Sequence, residues 1–447
     1  MEKIKSAISK DSSPFKLLQE KISSKKAKIG IIGLGYVGLP MAISFAGKGY
    51  RVNGLEVSRS RLAKLKRGRS YITDISDAVL RKALAGGLDP SGDPGVLYQA
   101  DIIIVCVPTP IRKTKVPNMS YIIAACKTIR KYIRPGQLII LESTTYPGTT
   151  RDVMLPILEK SGLIEGKDFF LAFSPERIDP GNKKYDFTNI PKVIGGVSLK
   201  AGKLASSLYA KVVKETIVLK NAEAAEVVKL LENTFRIVNI ALINEFAMLA
   251  DKLNIDIWNV VDAAKSKPFG FMPFYPGPGI GGHCIPHDPH YLSWKAKTVG
   301  FTTHMIDNAA KVNAIMPMFA IKRVKSILKR KGKTLRRSKV LIIGVTYKKD
   351  VFDIRESPAL EIIEGLQKAR ARVTYHDTYT PFLKIHSIDL RSVRLTGKIL
   401  RESDCVMIVT DHSHINYRLI ATESKIVFDT RNALRDIKNP RAEVYKL

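Results

Sequence analysis

Four cysteines in 447 residues, none at a framework spacing, exclude a disulfide scaffold. Cys106 and Cys405 lie in apolar, strand-like runs and Cys126 in a helix-like one, the pattern of core thiols in a reducing compartment. Cys284 alone falls outside such a run. No apolar run approaches the roughly 20 residues that a membrane-spanning helix needs; the longest are short pieces such as Ile102–Val107. The basic N-terminal stretch lacks the apolar core of a secretory signal. Together these absences predict a cytoplasmic protein with no membrane segment. Acidic side chains are scarce, 41 against 73 Lys and Arg, so the formal net charge is +32. An excess of that size attracts polyanionic ligands such as nucleotides. The basic residues are spread along the chain, apart from clusters such as Lys329–Arg337, and no nucleic-acid motif surrounds them, so nucleic acid is not expected as a partner. No metal is expected either. His283, Cys284, His287 and His290 are close in sequence, but Pro286 and Pro289 break any helical face that would gather them.

What is present is organised around one stretch, Phe274-Tyr-Pro-Gly-Pro-Gly-Ile-Gly-Gly-His-Cys-Ile-Pro-His-Asp-Pro289. Gly277, Gly279, Gly281 and Gly282 precede Cys284 and allow the backbone to approach a ligand closely. Asp288 and Pro289 read as the N-cap and first position of a following helix, whose dipole would favour a thiolate. The same loop, taken alone, also suits a surface turn with an inert thiol.

The chain is long enough for two or three domains. Residues 1–27 form a basic extension in which Ser13-Pro14 caps a short helix. Lys28–Gly33 reads as a buried strand running into Gly33-Leu-Gly35-Tyr36-Val37-Gly38 and then into a helix. A second strand, Tyr50–Val57, carries Glu56. A Gly-x-Gly-x-x-Gly turn between strand and helix, with an acidic residue about twenty positions on, is a dinucleotide fingerprint. Glu56 would accept hydrogen bonds from the adenine ribose hydroxyls and repel a 2′-phosphate, which favours NAD over NADP; Arg59 and Arg61 oppose that preference. Three further strands end in small hydroxylated or charged residues: Asp101–Val107 in Pro108-Thr109-Pro110, Gln137–Leu141 in Glu142-Ser-Thr144, and Phe169–Phe173 in Ser174-Pro-Glu176-Arg177. Ligands bind at such carboxyl ends in open α/β sheets.

One long helical pattern spans Asn221 to about Asn254 and sets Lys229 and Asn233 on one face at i, i+4. In isolation these read as a solvated charge and a satisfied core amide. A basic linker, Lys329–Lys339, opens a second α/β unit with strands Lys339–Gly344, Arg372–Tyr375, Cys405–Thr410 and Ile426–Asp429. Its first turn carries Lys348 and Arg355 in place of a glycine fingerprint, and both side chains suit a phosphate. The expected architecture is α/β: a Rossmann domain over 28–220, a helical segment over 221–331 and a second Rossmann-like domain over 332–447. A thiolate beside a nicotinamide site adds to an aldehyde as a thiohemiacetal. Hydride loss makes a thioester, and water releases a carboxylate.

Gly33-Leu-Gly-Tyr-Val-Gly-Leu-Pro40, Phe173-Ser-Pro-Glu176, Gly281-Gly-His-Cys-Ile-Pro286 with Asp288, and Asp353-Ile-Arg-Glu-Ser-Pro358 resemble, in order along nearly the whole chain, the UDP-glucose/GDP-mannose dehydrogenase family. Phe269-Gly-Phe-Met-Pro-Phe-Tyr-Pro-Gly-Pro-Gly279 carries a finer resemblance, to the UDP-N-acetylglucosamine 6-dehydrogenases of that family. The resemblance implies an NAD domain, a helical dimerisation segment giving a homodimer, a UDP-binding domain, and two successive oxidations of a sugar C6 hydroxymethyl. It makes Cys284 the nucleophile and Lys229 and Asn233 the stabilisers of charge on the reacting oxygen. Asp288 would aid proton transfer, and Thr144 and Glu176 would face the hydrolytic water and the nicotinamide. NAD falls to Gly33, Gly35, Tyr36, Val37, Gly38, Glu56, Arg61, Thr109 and Thr144. The UDP-sugar falls to Glu176, Arg177, Lys229, Asn233, Tyr275, Gly279, Gly281, Lys348 and Arg355.

One departure bears on substrate. UDP-glucose relatives carry a glutamate four residues after the match to Glu176, where this chain has Pro180. Losing that bulk and charge suits an N-acetyl group, so UDP-N-acetylglucosamine is expected over UDP-glucose. Nothing in the sequence separates its manno and galacto epimers. A hydroxyacid dehydrogenase of similar plan, which needs no cysteine, and a non-catalytic NAD- or nucleic-acid-binding protein are the competing readings.

Overall fold

The computed structural model describes residues 13–72, 74–111, 116–179, 184–282, 285–385 and 387–447. Pro180, His283 and Cys284 lie outside these residues. The chain divides into two compact units, one reaching residue 232 and including 297–299, the other formed by 233–296 and 300–447.

The first unit is built on an eight-stranded sheet: β1 (Ile29–Ile32), β2 (Val52–Leu55), β3 (Leu88–Ser91), β4 (Ile102–Val105), β5 (Leu138–Leu141), β6 (Phe170–Phe173), β7 (Lys192–Gly196) and β8 (Thr216–Leu219). The strand order is β3-β2-β1-β4-β5-β6-β7-β8. The central strands read as continuous apolar runs because both faces are covered. Along β4 and β5 the period of two sends Ile102, Ile104, Leu138 and Ile140 into one core, and Ile103, Val105, Ile139 and Leu141 into the other. Chain order reverses between β1 and β4, the switch point at whose carboxyl ends ligands bind in open α/β sheets.

The sheet is parallel except at one place, where β6 and β7 pair antiparallel. A parallel step needs a crossover, usually helical. The described residues of 174–191 contain no helix, and the chain turns back instead. The edge strands β3 and β8 escaped the sequence reading. β3 contains Pro90, and β8 exposes Ile217 and Val218, so neither shows a buried apolar run.

The helix Ala222–Leu253, 32 residues, supplies its first turns to the first unit and the remainder to the second. The second unit holds helices Ile257–Lys265 and His304–Arg330, all but the last two residues of the helix Asp288–Thr298, and a sheet of β9 (Lys339–Ile343), β10 (Arg372–His376), β13 (Cys405–Ile408), β14 (Ile426–Asp429) and β15 (Glu443–Lys446). This sheet is parallel throughout, in the order β10-β9-β13-β14-β15. An antiparallel hairpin, β11 (Phe382–Ile385) with β12 (Ile388–Arg391), stands beside it. No described helix is long and apolar enough to cross a membrane.

Candidate functional site

In the first unit the turn after β1 is closed so tightly that two glycines are required. A Cβ on Gly38 would stand 1.9 Å from the Gly33 carbonyl oxygen. Gly33 has φ of +92°, and a Cβ there would come within 2.7 Å of the Cys106 carbonyl oxygen. Gly35, in contrast, faces open space, with nothing within 4 Å of an added Cβ. That is the clearance a pyrophosphate needs at the start of the helix Gly38–Gly47. Tyr36 is half exposed, and Val37 occupies the cap position of that helix. Glu56, at the end of β2, is buried and accepts a hydrogen bond from the Ser58 amide at 2.9 Å. Arg61 lies over the Tyr71 ring at 5.4 Å, and Thr109 is buried after β4. The open glycine cradle and the carboxylate at the β2 terminus fit NAD.

Thr144 and Glu176 follow β5 and β6. Lys229, on the long helix, donates from Nζ to Thr144 Oγ1 at 2.5 Å. One turn earlier the buried Glu226 accepts from the Gly148 amide (2.5 Å), the Thr150 amide (2.9 Å) and the Thr150 hydroxyl (2.7 Å). The helix face that presents Lys229 therefore also holds the turn beyond Thr144. Burial pushes the Glu226 carboxyl up to about 7 despite these three donors.

Glu176 is buried. Its Oε1 accepts from the Arg177 and Ile178 amides at 2.6 and 2.7 Å, while Oε2 has no hydrogen-bond partner among the described residues. Lys192, the first residue of β7, lies behind it. The Lys192 ammonium donates to Glu142 Oε2 at 2.7 Å and to the Pro175 carbonyl at 3.1 Å, and stands 3.6 Å from Glu176 Oε2. Tyr209 donates its hydroxyl to the other Glu142 oxygen. Burial raises Glu142 to about 7, opposed by the Lys192 charge. Arg177 points away from this cluster, to Glu232 at 2.7 Å and to the Pro191 carbonyl.

In the second unit Asn233 donates from Nδ2 to Asp288 Oδ2 at 2.6 Å. Asp288 is buried at the start of its helix. The glycine-rich loop is held at several points. The Gly277 amide donates to Asn244 Oδ1 at 2.9 Å, Asn244 Nδ2 donates to Asn313 Oδ1 at 2.9 Å, and Asn313 Nδ2 donates to the Ile237 carbonyl at 3.1 Å. Tyr275 stacks on Trp258 and donates its hydroxyl to Asp262 at 2.7 Å. Gly279 runs against Pro317 and Pro358. Gly282, at φ +86°, donates its amide to the Arg355 carbonyl at 2.9 Å, and a Cβ on Gly281 would strike the Glu356 carbonyl oxygen at 2.6 Å. Two stretches some seventy residues apart, both expected at the UDP end of the substrate, thus meet within one unit. The Arg355 guanidinium forks onto Asp353, with Nη2 at 2.6 Å from Oδ2. Lys348 sits in the same turn after β9, its carbonyl accepting from Thr346 Oγ1 at 2.8 Å. Behind that turn the buried His412 links Asp377 (Nε2 to Oδ2, 3.1 Å) to the Asp350 amide, which donates to Nδ1 at 3.0 Å. Cys284 lies outside the described residues.

Glu142 was named in the sequence only as part of a polar strand end, and Lys192, Glu226, Asn244 and Asn313 were not singled out. Glu226 alone left a signal, standing three residues before Lys229 on one helix face. Pro191-Lys-Val-Ile-Gly195, which holds Lys192, was not assigned in the sequence reading.

Sequence models of the UDP-glucose/GDP-mannose dehydrogenase family match this chain over their NAD-binding domain (residues 27–213), central domain (223–315) and UDP-binding domain (341–436). A UDP-N-acetyl-D-mannosamine dehydrogenase of Pyrococcus horikoshii is 35% identical over 416 residues, 92% of this chain and 96% of its own length. A UDP-N-acetyl-D-glucosamine 6-dehydrogenase of Pseudomonas aeruginosa is 37% identical over 358 residues, 79% of this chain and 83% of its own. The solved structure of a UDP-D-ManNAc dehydrogenase from Pyrococcus horikoshii superposes with a TM-score of 0.84 at 34% identity, covering 94% of this chain and 98% of that one. The chain is therefore a member of the UDP-glucose/GDP-mannose dehydrogenase family, an NAD-dependent UDP-sugar dehydrogenase.

Proposed function

We propose that this enzyme oxidises the C6 hydroxymethyl of a UDP-N-acetylhexosamine, UDP-N-acetylglucosamine first, to the uronic acid, acting in the cytoplasm. The balance is one alcohol, two NAD⁺ and one water giving one carboxylate, two NADH and three protons. Bound NAD accepts the hydride in each oxidation. The first removes hydride from C6 and the hydroxyl proton, leaving an aldehyde. The Cys284 thiolate then forms a C–S bond to the aldehyde carbon, and the carbonyl oxygen takes up negative charge that Lys229 and Asn233 stabilise. Loss of a second hydride leaves a thioester. Water adds to its carbonyl, the C–S bond breaks, the thiolate departs, and a carboxylate base takes the water proton. Glu176, with an open acceptor oxygen, and Asp288 are the candidates for that proton. Arg177, Tyr275, Gly279, Gly281, Lys348 and Arg355 are assigned to the UDP-sugar, and Tyr36, Val37, Arg61, Thr109 and Thr144 to NAD with the glycine turn.

The observation that carries this reading is the pairing along one helix. Lys229 and Asn233, one turn apart, each hold a second expected site residue, Thr144 and Asp288. The domain division over 28–220, 221–331 and 332–447 is supported by the spans of the three family models. Burial of free Cys106, Cys126 and Cys405 supports a reducing compartment. A homodimer is supported by an apolar stripe along the long helix, where Phe235, Leu242, Phe246, Leu249 and Leu253 are all about half exposed at helical spacing.

UDP-N-acetylmannosamine is the second reading, favoured by the mannosamine dehydrogenases that align with nearly the full chain. Equal concentrations of UDP-glucose, UDP-N-acetylglucosamine and UDP-N-acetylmannosamine should be offered together and the acids identified by mass. N-acetylglucosaminuronic acid should dominate, with two NADH per sugar. Preferential oxidation of UDP-glucose overturns the N-acetyl assignment, and one NADH per sugar removes the thioester. Cys284→Ala should bind UDP-sugar and NAD but form no acid; acid at the wild-type rate would remove Cys284 from the mechanism.

A further inference from the structure

Behind Glu176 lies a group of buried ionisable side chains that the proposed chemistry does not use. Glu142 comes from the end of β5, Lys192 from the start of β7, Tyr209 from the end of the helix Leu199–Tyr209, and Cys106 from the end of β4. Their exposures are all below a tenth. An ammonium does not stay buried without partners, and neither does a carboxylate. Lys192 holds its primary partner, Glu142, at 2.7 Å, and its Nζ reaches to 3.6 Å of Glu176 Oε2. The opposite oxygen of Glu176 is occupied by two backbone amides at 2.6 and 2.7 Å. The carboxylate plane is therefore pinned on one side, and its remaining oxygen, buried and without a hydrogen-bond partner among the described residues, sits in the field of one ammonium.

We propose that Lys192 is a positioning residue for Glu176: bridging Glu142 and Glu176, it keeps Glu176 ionised and oriented, with Oε2 open to accept a proton. The consequence for catalysis rests on the proton-accepting role given to Glu176 above.

The charge count makes the arrangement asymmetric. Two carboxylates face one ammonium, so one proton shared among them brings the group to neutrality. Glu142 is the more deeply buried carboxyl, with the Tyr209 hydroxyl on one oxygen and Lys192 on the other, and burial raises it to about 7. Glu176 instead accepts from two backbone amides on Oε1. The Lys192 ammonium is itself held protonated by the two carboxylates against its burial.

Lys192→Met alone would strand two buried carboxylates and threaten folding. Glu142→Gln/Lys192→Met removes the ammonium, replaces the Glu142 carboxyl by a neutral group of the same shape, and leaves Glu176 in place without its ammonium. Carboxyl-labelled glutamate NMR, with Glu176→Gln identifying the Glu176 resonance, reads the titration directly and needs no turnover. In the double variant the Glu176 carboxyl should titrate at least one pH unit higher than in the wild type. The acid limb of the NADH-production profile should move with it, lowering the rate on that limb about tenfold per unit while KM for the UDP-sugar stays within about twofold. An unmoved Glu176 titration in the folded double variant overturns the proposal. A moved titration with an unmoved acid limb upholds the positioning role of Lys192 and instead refutes Glu176 as the proton acceptor.

Discussion

Asn244 offers the sharpest test of how the glycine loop is held. It is fully buried, as is Asn313, and its amide uses both ends: Oδ1 accepts from the Gly277 amide, and Nδ2 donates to Asn313 Oδ1, each at 2.9 Å. Asn244→Ala leaves the Gly277 N–H and the Asn313 oxygen buried without these partners. Each orphaned group costs about 1–3 kcal/mol, so the loss should be about 2–6 kcal/mol, a large share of the roughly 5–15 kcal/mol that a folded protein has in reserve. Asn244→Asp is the informative companion. It keeps the acceptor for Gly277 but turns an acceptor toward Asn313 Oδ1. If the Asn313 amide flips to donate to it, the Asn313 oxygen then meets the Ile237 carbonyl, which now accepts from Nδ2 at 3.1 Å. The strain moves along the network and is not relieved. Denaturant unfolding followed by fluorescence gives the stability loss. The KM for the UDP-sugar reports the loop, and should rise in Asn244→Ala under conditions where the variant is still folded. A loss below about 1 kcal/mol with wild-type KM would show that this network does not hold the loop.

Two further outcomes follow from buried or charged groups. The Glu226 carboxyl is raised from 4.5 to about 7 by burial. Its protonated form is therefore favoured in the fold, so its contribution is full below about pH 4.5 and lost as pH rises through 7, about 3 kcal/mol in all. Glu226→Gln should flatten the dependence of unfolding free energy between about pH 5 and 8 by most of that amount, and parallel pH curves for the two proteins would contradict the assignment. Glu56 should make NAD preferred, and Glu56→Gln should raise the efficiency with NADP relative to NAD about tenfold. Comparable wild-type efficiency with both cofactors would show that Arg61 overrides the carboxylate.

The elements legible in the chain are those whose signal is local. The fingerprint turn is written in Gly33, Gly35 and Gly38 because backbone clearance admits no other residue at Gly33 and Gly38. The apolar runs of β1, β4 and β5 declare a sheet covered on both faces, since alternate residues serve opposite cores. The cap Ser357-Pro358 and the glycine loop were readable for the same reason, as each acts within a few residues. The resemblance to a known family rests on such segments and on their order.

Partners distant in sequence were not legible. Lys192 is an ordinary strand residue until the antiparallel turn between β6 and β7 brings it to Glu142, fifty residues earlier, and to Glu176. Glu226 is one more helical acid until the turn at Gly148 folds onto it. Asn244 and Asn313 are two polar residues on separate helices that become a loop anchor only when those helices pack. Residue type and short spacing determine which groups are capable of chemistry, because sterics and capping act within a few residues. Tertiary structure decides which of them are ionised, oriented and satisfied, because burial and charge pairing depend on neighbours that the chain brings from far away.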